Sequence, residues 1–132
     1  MKNLRSTSSL IASLAAAPIV MVAAWPAMAQ TYPTRPVVIV VPFAAGGGND
    51  ILARLIAQHM GRTLGQPFVI ENRPGAGGTI GARAVAKAAP DGHTLMVGHS
   101  GVFGIAPALY ADPGYDPRRD FVPIGLIASY QQ

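Results

Sequence analysis

An α/β fold, a parallel sheet flanked by helices, is predicted from three observations. The run Val37-Val38-Ile39-Val40-Val41 is apolar without alternation, as in a strand buried on both faces. It stops at Pro42, opens into Gly46-Gly47-Gly48, and then changes to a helical period from Ile51 onward. The same succession of apolar run, glycine-rich turn and helical stretch recurs after Phe68 to Glu71, and a third small-residue loop follows Thr94 to Val97. A β-α-β-α-β order with short connections implies right-handed crossovers and parallel strands.

In chain order, Lys2 and Arg5 precede a mostly apolar run from Leu10 to Ala24, and Ala27-Met28-Ala29 supplies small residues for cleavage. These are the regions of a secretory signal peptide over residues 1–29, with a mature start near Gln30 and export to the periplasm. A membrane anchor is disfavoured because the run is short for a span and contains Pro18. No cysteine is available for lipidation, and no arginine pair marks the twin-arginine route.

Residues 30–132 then form one α/β unit. Thr31 to Pro36 is an extended lead-in, and Val37 to Val41 is the first strand. Asn49 or Asp50 is a good cap for the first helix. Its expected apolar stripe combines Ile51, Leu55 and His59 with Leu52, Ile56 and Met60, opposite Arg54, Gln58 and Arg62. Gly65 and Pro67 end it. The second strand, Phe68 to Glu71, leads to a glycine-rich turn and an alanine-rich helix from about Thr79 to Ala89, stopped by Pro90-Asp91-Gly92. After the third strand and Gly98-His99-Ser100-Gly101 come a helical turn at Ala106 to Tyr110, a proline-rich connector, and a fourth strand from Phe121 to Ala128.

Charge excludes some functions. Removal of Lys2 and Arg5 takes the formal charge from +4 to +2, and the remaining cations are scattered without interleaved aromatics. Nucleic acid is therefore not an expected partner. The chain has no cysteine, so disulfides and thiolate metal sites are excluded, and its three histidines are dispersed. No metal and no cofactor is expected.

Three loops are predicted at one sheet edge, the C-terminal end of the strands, where open α/β sheets bind ligands. Gly46-Gly47-Gly48 leaves backbone amides bare before a helix, which suits an anion, but no Lys-Ser or Lys-Thr follows as a phosphate loop requires. Asp50 would repel an anion, so it is read as a structural cap that holds the loop, with a supporting pair to Arg54. Gly75, Gly77 and Gly81 resemble a dinucleotide fingerprint, yet no acidic residue closes the next strand. Gly98-His99-Ser100-Gly101 brings its second glycine one residue too early for a nucleophile elbow, so Ser100 reads better as a ligand hydrogen-bonding hydroxyl. His59 is placed on the helix's apolar side and His93 in a turn, which leaves His99 as the histidine of the ligand edge.

The segments Pro42 to Arg54, Val69 to Gly78, Ala86 to Gly92 and Ile105-Ala106-Pro107-Ala108-Leu109-Tyr110 follow one another as in the Bug/TctC family of periplasmic solute-binding proteins, which residues 30 to 129 closely resemble. The resemblance implies a type II periplasmic-binding-protein fold in which two α/β domains close over a small organic anion. The anion would be a di- or tricarboxylate, an amino acid or an aromatic acid, passed on to the membrane permease subunits of a tripartite tricarboxylate-type transporter. Position by position it implies ligand contacts from Phe43, Ala44, Ala45, Gly46 and Gly47, from Gly77, Gly78 and Thr79, and from His99, Ser100 and Gly101, with backbone, hydroxyls and waters in place of an arginine clamp. His99 departs from the small hydroxyl residue expected beside Ser100. Family members continue into a second domain, so this chain is expected to be the N-terminal part of such a receptor, a fragment weak or inactive alone.

The leading expectation is thus a receptor and not an enzyme. The alternative is an exported α/β hydrolase using Ser100, which ester turnover abolished in Ser100→Ala would reveal. A third is a non-functional remnant with an exposed sheet edge.

Overall fold

The computed structural model describes residues 31–129; the expected signal peptide and its cleavage site lie outside them. Three strands, β1 (Val37–Val41), β2 (Phe68–Asn72) and β3 (Thr94–Met96), form a parallel sheet in the order β2-β1-β3. In register, Ile39 stands between Ile70 and Leu95. Between the strands lie helix α1 (Gly48–Leu64) and helix α2 (Thr79–Ala86), the latter entered through a 3₁₀ turn at Ala76–Gly78. After β3 the chain makes one π-helical turn, Gly101–Ile105, that runs directly into α3 (Ala106–Leu109).

Because β1 is central, the first connection moves one way along the sheet and the second moves back past it. Two right-handed crossovers of opposite direction put their helices on opposite faces. Ile39 and Val41 accordingly pack with Ala53 and Ala57 of α1, joined by Phe68, Ile70 and Leu95. Val38 and Val40 face Ala84 and Ala88 on the α2 side. That accounts for the unbroken apolar run of β1, where both faces are covered. A second cluster sits toward the C-terminal edge, where Ala82, Val102 and Tyr115 are buried with Phe43, Met96 and Phe121 packed against them. The Tyr115 hydroxyl donates to the Val102 carbonyl at 2.6 Å, and Phe121 meets Phe103 and Tyr115 edge-on.

Several expectations need correction. Helix α1 turns a stripe of small residues to the sheet: Asp50, Ala53 and Ala57 are buried, whereas Ile51 and Leu55 are 60% and 64% exposed. His59, expected on the buried side, is exposed with them. The rows i, i+3, i+4 admit either stripe, and small residues let the helix backbone approach a β-branched sheet closely. The helix also starts earlier than expected, at Gly48 with Gly47 as N-cap, so Asp50 lies in its first turn. Helix α2 stops at Ala86, and β3 ends at Met96. Residues 121–129 form no strand: Val122, Ile124 and Leu126 are each more than 80% exposed, and no described strand lies alongside to pair with them. His93 lies in the bend before β3, as expected, but with its side chain packed away from solvent. It is buried just before β3, its amide donating to Asp91 Oδ1 at 2.9 Å and its ring edge-on to Tyr32.

Candidate functional site

The reversal of direction around β1 creates a topological switch point, and open α/β sheets bind ligands outside the carboxyl ends of strands at such a point. The loops after β1 and β3 flank it. Phe43, just past β1, stacks on His99, just past β3, with ring centroids 4.6 Å apart and planes 14° from parallel. The third loop joins at the same place. A Cβ added at Gly78 would lie 2.7 Å from Val102 Cγ2 and 3.3 Å from Phe43 Cζ, so the absence of a side chain there lets all three loops meet.

The loop after β1 is held from below. Asp50 is 2% exposed, and its carboxylate accepts three hydrogen bonds: from the Gly46 amide at 2.8 Å, from Arg54 Nε at 2.9 Å and from Asn72 Nδ2 at 2.9 Å. The Arg54 side-chain bond, then the Gly46 amide, then Asn72 hold its pKa down at about 2, against a smaller opposing effect of desolvation. Asn72 Nδ2 also donates to the Phe43 carbonyl at 3.2 Å, and Arg54 Nη2 donates to Asn72 Oδ1 at 3.4 Å. Asn72 was not singled out from sequence, although it ends β2. Parallel register sets it beside Val41, where the chain leaves the sheet for the loop.

These bonds sort the predicted residues. Ala44, Ala45, Gly46 and Gly47 are exposed along the loop, and Phe43 is half-buried. The Gly46 amide is already engaged by Asp50, and the residue's φ of +83° makes the turn that brings it there. Gly77 is exposed in the second loop, but Gly78 and Thr79 are buried. The Thr79 hydroxyl donates to the Ala76 carbonyl at 3.0 Å, so it braces the turn from inside. His99 and Ser100 are exposed and Gly101 is half-buried, with the Gly101 amide donating to His99 Nδ1 at 2.8 Å. Among the described residues no hydrogen bond couples Ser100 to a histidine or carboxylate, and no group of three or more His, Asp or Glu could hold a metal.

Nearby arginines are committed elsewhere, Arg54 to Asp50 and Arg73 to Glu71 at 2.8 Å. The helix–sheet seams contain two shallow clefts, one beside Val40, Arg73 and Ala88 and one beside Ala57, Phe68 and Ile70. Neither includes any of Phe43 to Gly47, Gly77 to Thr79 or His99 to Gly101. The loop edge is an open wall, and small-molecule sites are ordinarily concave and enclose most of the ligand.

Comparison with known proteins finds a family and solved structures of the same fold. The model of the TctC family, described as the tripartite tricarboxylate transporter family receptor, matches residues 52–132. A UPF0065 protein of the TAR-I ttuE-ttuC' intergenic region of Agrobacterium vitis is 54% identical over 104 residues, 78% of this chain and 30% of the relative. Protein BugT of Bordetella pertussis is 42% identical over 103 residues, 77% of this chain and 32% of BugT. Among solved structures, MatC from Rhodopseudomonas palustris with bound malate is 56% identical with a TM-score of 0.69, over 73% of this chain and 33% of MatC. The periplasmic binding protein BugD is 55% identical with a TM-score of 0.68, over 71% of this chain and 31% of BugD. The chain thus spans about a third of the length of the relatives it matches.

Proposed function

The chain belongs to the TctC family of tripartite tricarboxylate transporter receptors, periplasmic solute-binding proteins of which Bug proteins are members, and from that membership we propose that its three-loop edge is one wall of a carboxylate site. The observation that carries the reading is the junction of Phe43, Gly78 and His99 at the switch point of a parallel sheet. It is supported by two relatives whose solved structures hold malate and adipate.

In this reading the ligand's carboxylate lies against the exposed backbone of Ala44 to Gly47 and the first turn of α1, with Gly77, His99 and Ser100 completing the wall. Gly78, Thr79 and Gly101 shape the loops. Asp50 holds the first loop and makes no contact with the anion. Receptor function follows from a ligand taken up outside the cytoplasm, after export directed by residues 1–29, and delivered to the permease subunits of a tripartite transporter.

Residues 30–132 alone bind weakly. A helix N-terminus contributes roughly 0.3–1 kcal/mol to an anion, about 2 when partly buried. Three loops on an open wall reach the ~4 kcal/mol of a millimolar complex, not the ~8 of a micromolar one. The second α/β domain expected of this family supplies the remaining burial.

Malate titrated into the isotope-labelled chain, followed by amide NMR, is expected to move Ala44, Ala45, Gly47, Gly77 and Ser100 with millimolar affinity. A titration that leaves these amides still, or moves only distant ones, overturns the assignment of the wall. Micromolar affinity refutes the weakness of the isolated segment.

A further inference from the structure

The loop after β3 carries a feature that gives one residue of the wall a defined chemistry. His99 is exposed, yet its ring is fixed twice: by the stack on Phe43 at 4.6 Å and by the Gly101 amide, which donates to Nδ1 at 2.8 Å. A neutral imidazole has one N–H and one acceptor nitrogen. Because Nδ1 accepts, the proton of the neutral ring is on Nε2. Among the described residues, Nε2 has no hydrogen-bond partner. The fit is tight at Gly101, where an added Cβ would lie 2.4 Å from His99 Cε1 and 2.8 Å from Nδ1.

We propose that His99 is a specificity-determining residue of this chain, a tautomer-locked Nε2–H donor that hydrogen-bonds an oxygen of the bound organic acid. The inference rests on the carboxylate-wall reading. A donor fixed by a ring stack and a backbone amide loses little freedom when a ligand oxygen arrives, and a hydrogen bond to a charged acceptor is among the stronger ones. The ring offers this donor where a small hydroxyl residue would supply a rotatable one.

Imidazole ¹⁵N NMR on the full chain separates the parts of the claim. In the ligand-free protein under mildly alkaline conditions, where imidazole is neutral, His99 is expected to show a protonated Nε2 and an unprotonated Nδ1; the opposite tautomer overturns the proposal without reference to any ligand. Malate is then expected to move the Nε2 resonance and leave Nδ1 in place. His99→Phe keeps an aromatic ring for the stack and removes the donor, with malate affinity expected to fall about tenfold. Gly101→Ala, helical in backbone and so compatible with alanine, displaces the imidazole and is expected to lose a similar factor. Wild-type affinity retained in His99→Phe, or an Nε2 resonance unmoved by saturating malate, overturns the donor role. Failure of the wild-type chain to bind malate overturns the receptor reading, a result visible separately in the loop amides.

Discussion

Asn72 illustrates how much one side-chain amide can hold. Its Nδ2 reaches both the Phe43 carbonyl and the Asp50 carboxylate, tying the end of β2 to the two ends of the first loop. Truncation to alanine leaves both acceptors short of a donor, and an unsatisfied group that is partly buried costs about 1–3 kcal/mol. Asn72→Ala is therefore expected to lower the thermal midpoint and to speed hydrogen exchange at the Gly46 amide, which rests on Asp50. Unchanged exchange at Gly46 would show that Asp50 and Arg54 hold the loop without Asn72. At this scale the sequence pointed to Asp50 as a cap that holds the loop, because a carboxylate there would repel an anion; in the structure Gly47 is the N-cap, and Asp50 carries the Gly46 amide from the first turn. The sequence did not disclose Asn72, whose role depends on which residue lies beside it in the sheet.

Helix α1 shows the same division for an element. Its existence and its stop at Gly65, with φ of +72° and its amide on the Gly61 carbonyl, follow from periodicity and glycine chemistry. Which stripe faces inward does not. Two stripes a third of a turn apart were available, and hydrophobicity favoured Ile51, Leu55 and Leu52. The sheet instead took Asp50, Ala53 and Ala57, since the Asp50 bonds fix the helix's rotation and only small residues fit the close approach. Ala53 is fully buried, so Ala53→Leu should overpack the seam and destabilise by about 1–3 kcal/mol. Leu55→Lys, at an exposed position of the same helix, is expected to stay within about 0.5 kcal/mol. Denaturant melts of the two variants test the assignment, and the reverse ranking would restore the sequence-predicted stripe. Segment 121–129 failed as a strand for a related reason: pairing is a property of two strands, and none of the described residues provides a partner.

Across the molecule, carboxylates fasten both distant segments and local turns. Asp91 accepts from the His93 amide and from Arg35, which anchors the lead-in to the start of β3, and these bonds hold its pKa below the ordinary range. Asp120 is likewise lowered, by Arg119 and then by the Asp116 amide. Asp50 stands at about 2. A folded-state pKa below the unfolded one means that stability is complete above the usual carboxylate range and is lost as pH falls through the folded value. Stability is thus expected to hold down to about pH 4 and then decline toward pH 2, with Asp50→Asn showing a shallower decline over that window. An equally steep acid transition in that variant would place the linkage in other groups.

The sequence by itself determined the α/β class, the parallel strands and the three glycine-rich turns at one edge, because each rests on local chemistry: unbroken apolar runs, bare amides, turn residues in order. The family came from the resemblance of whole segments taken in order. Tertiary structure decided what those loops do to one another. The register of β2 brought Asn72 to Asp50, the small side of α1 turned inward, Thr79 went beneath its loop, and Phe43 met His99 across the switch point. Such contacts join residues as distant in sequence as Phe43 and His99 and depend on how the sheet reverses around β1, a choice that no local pattern encodes.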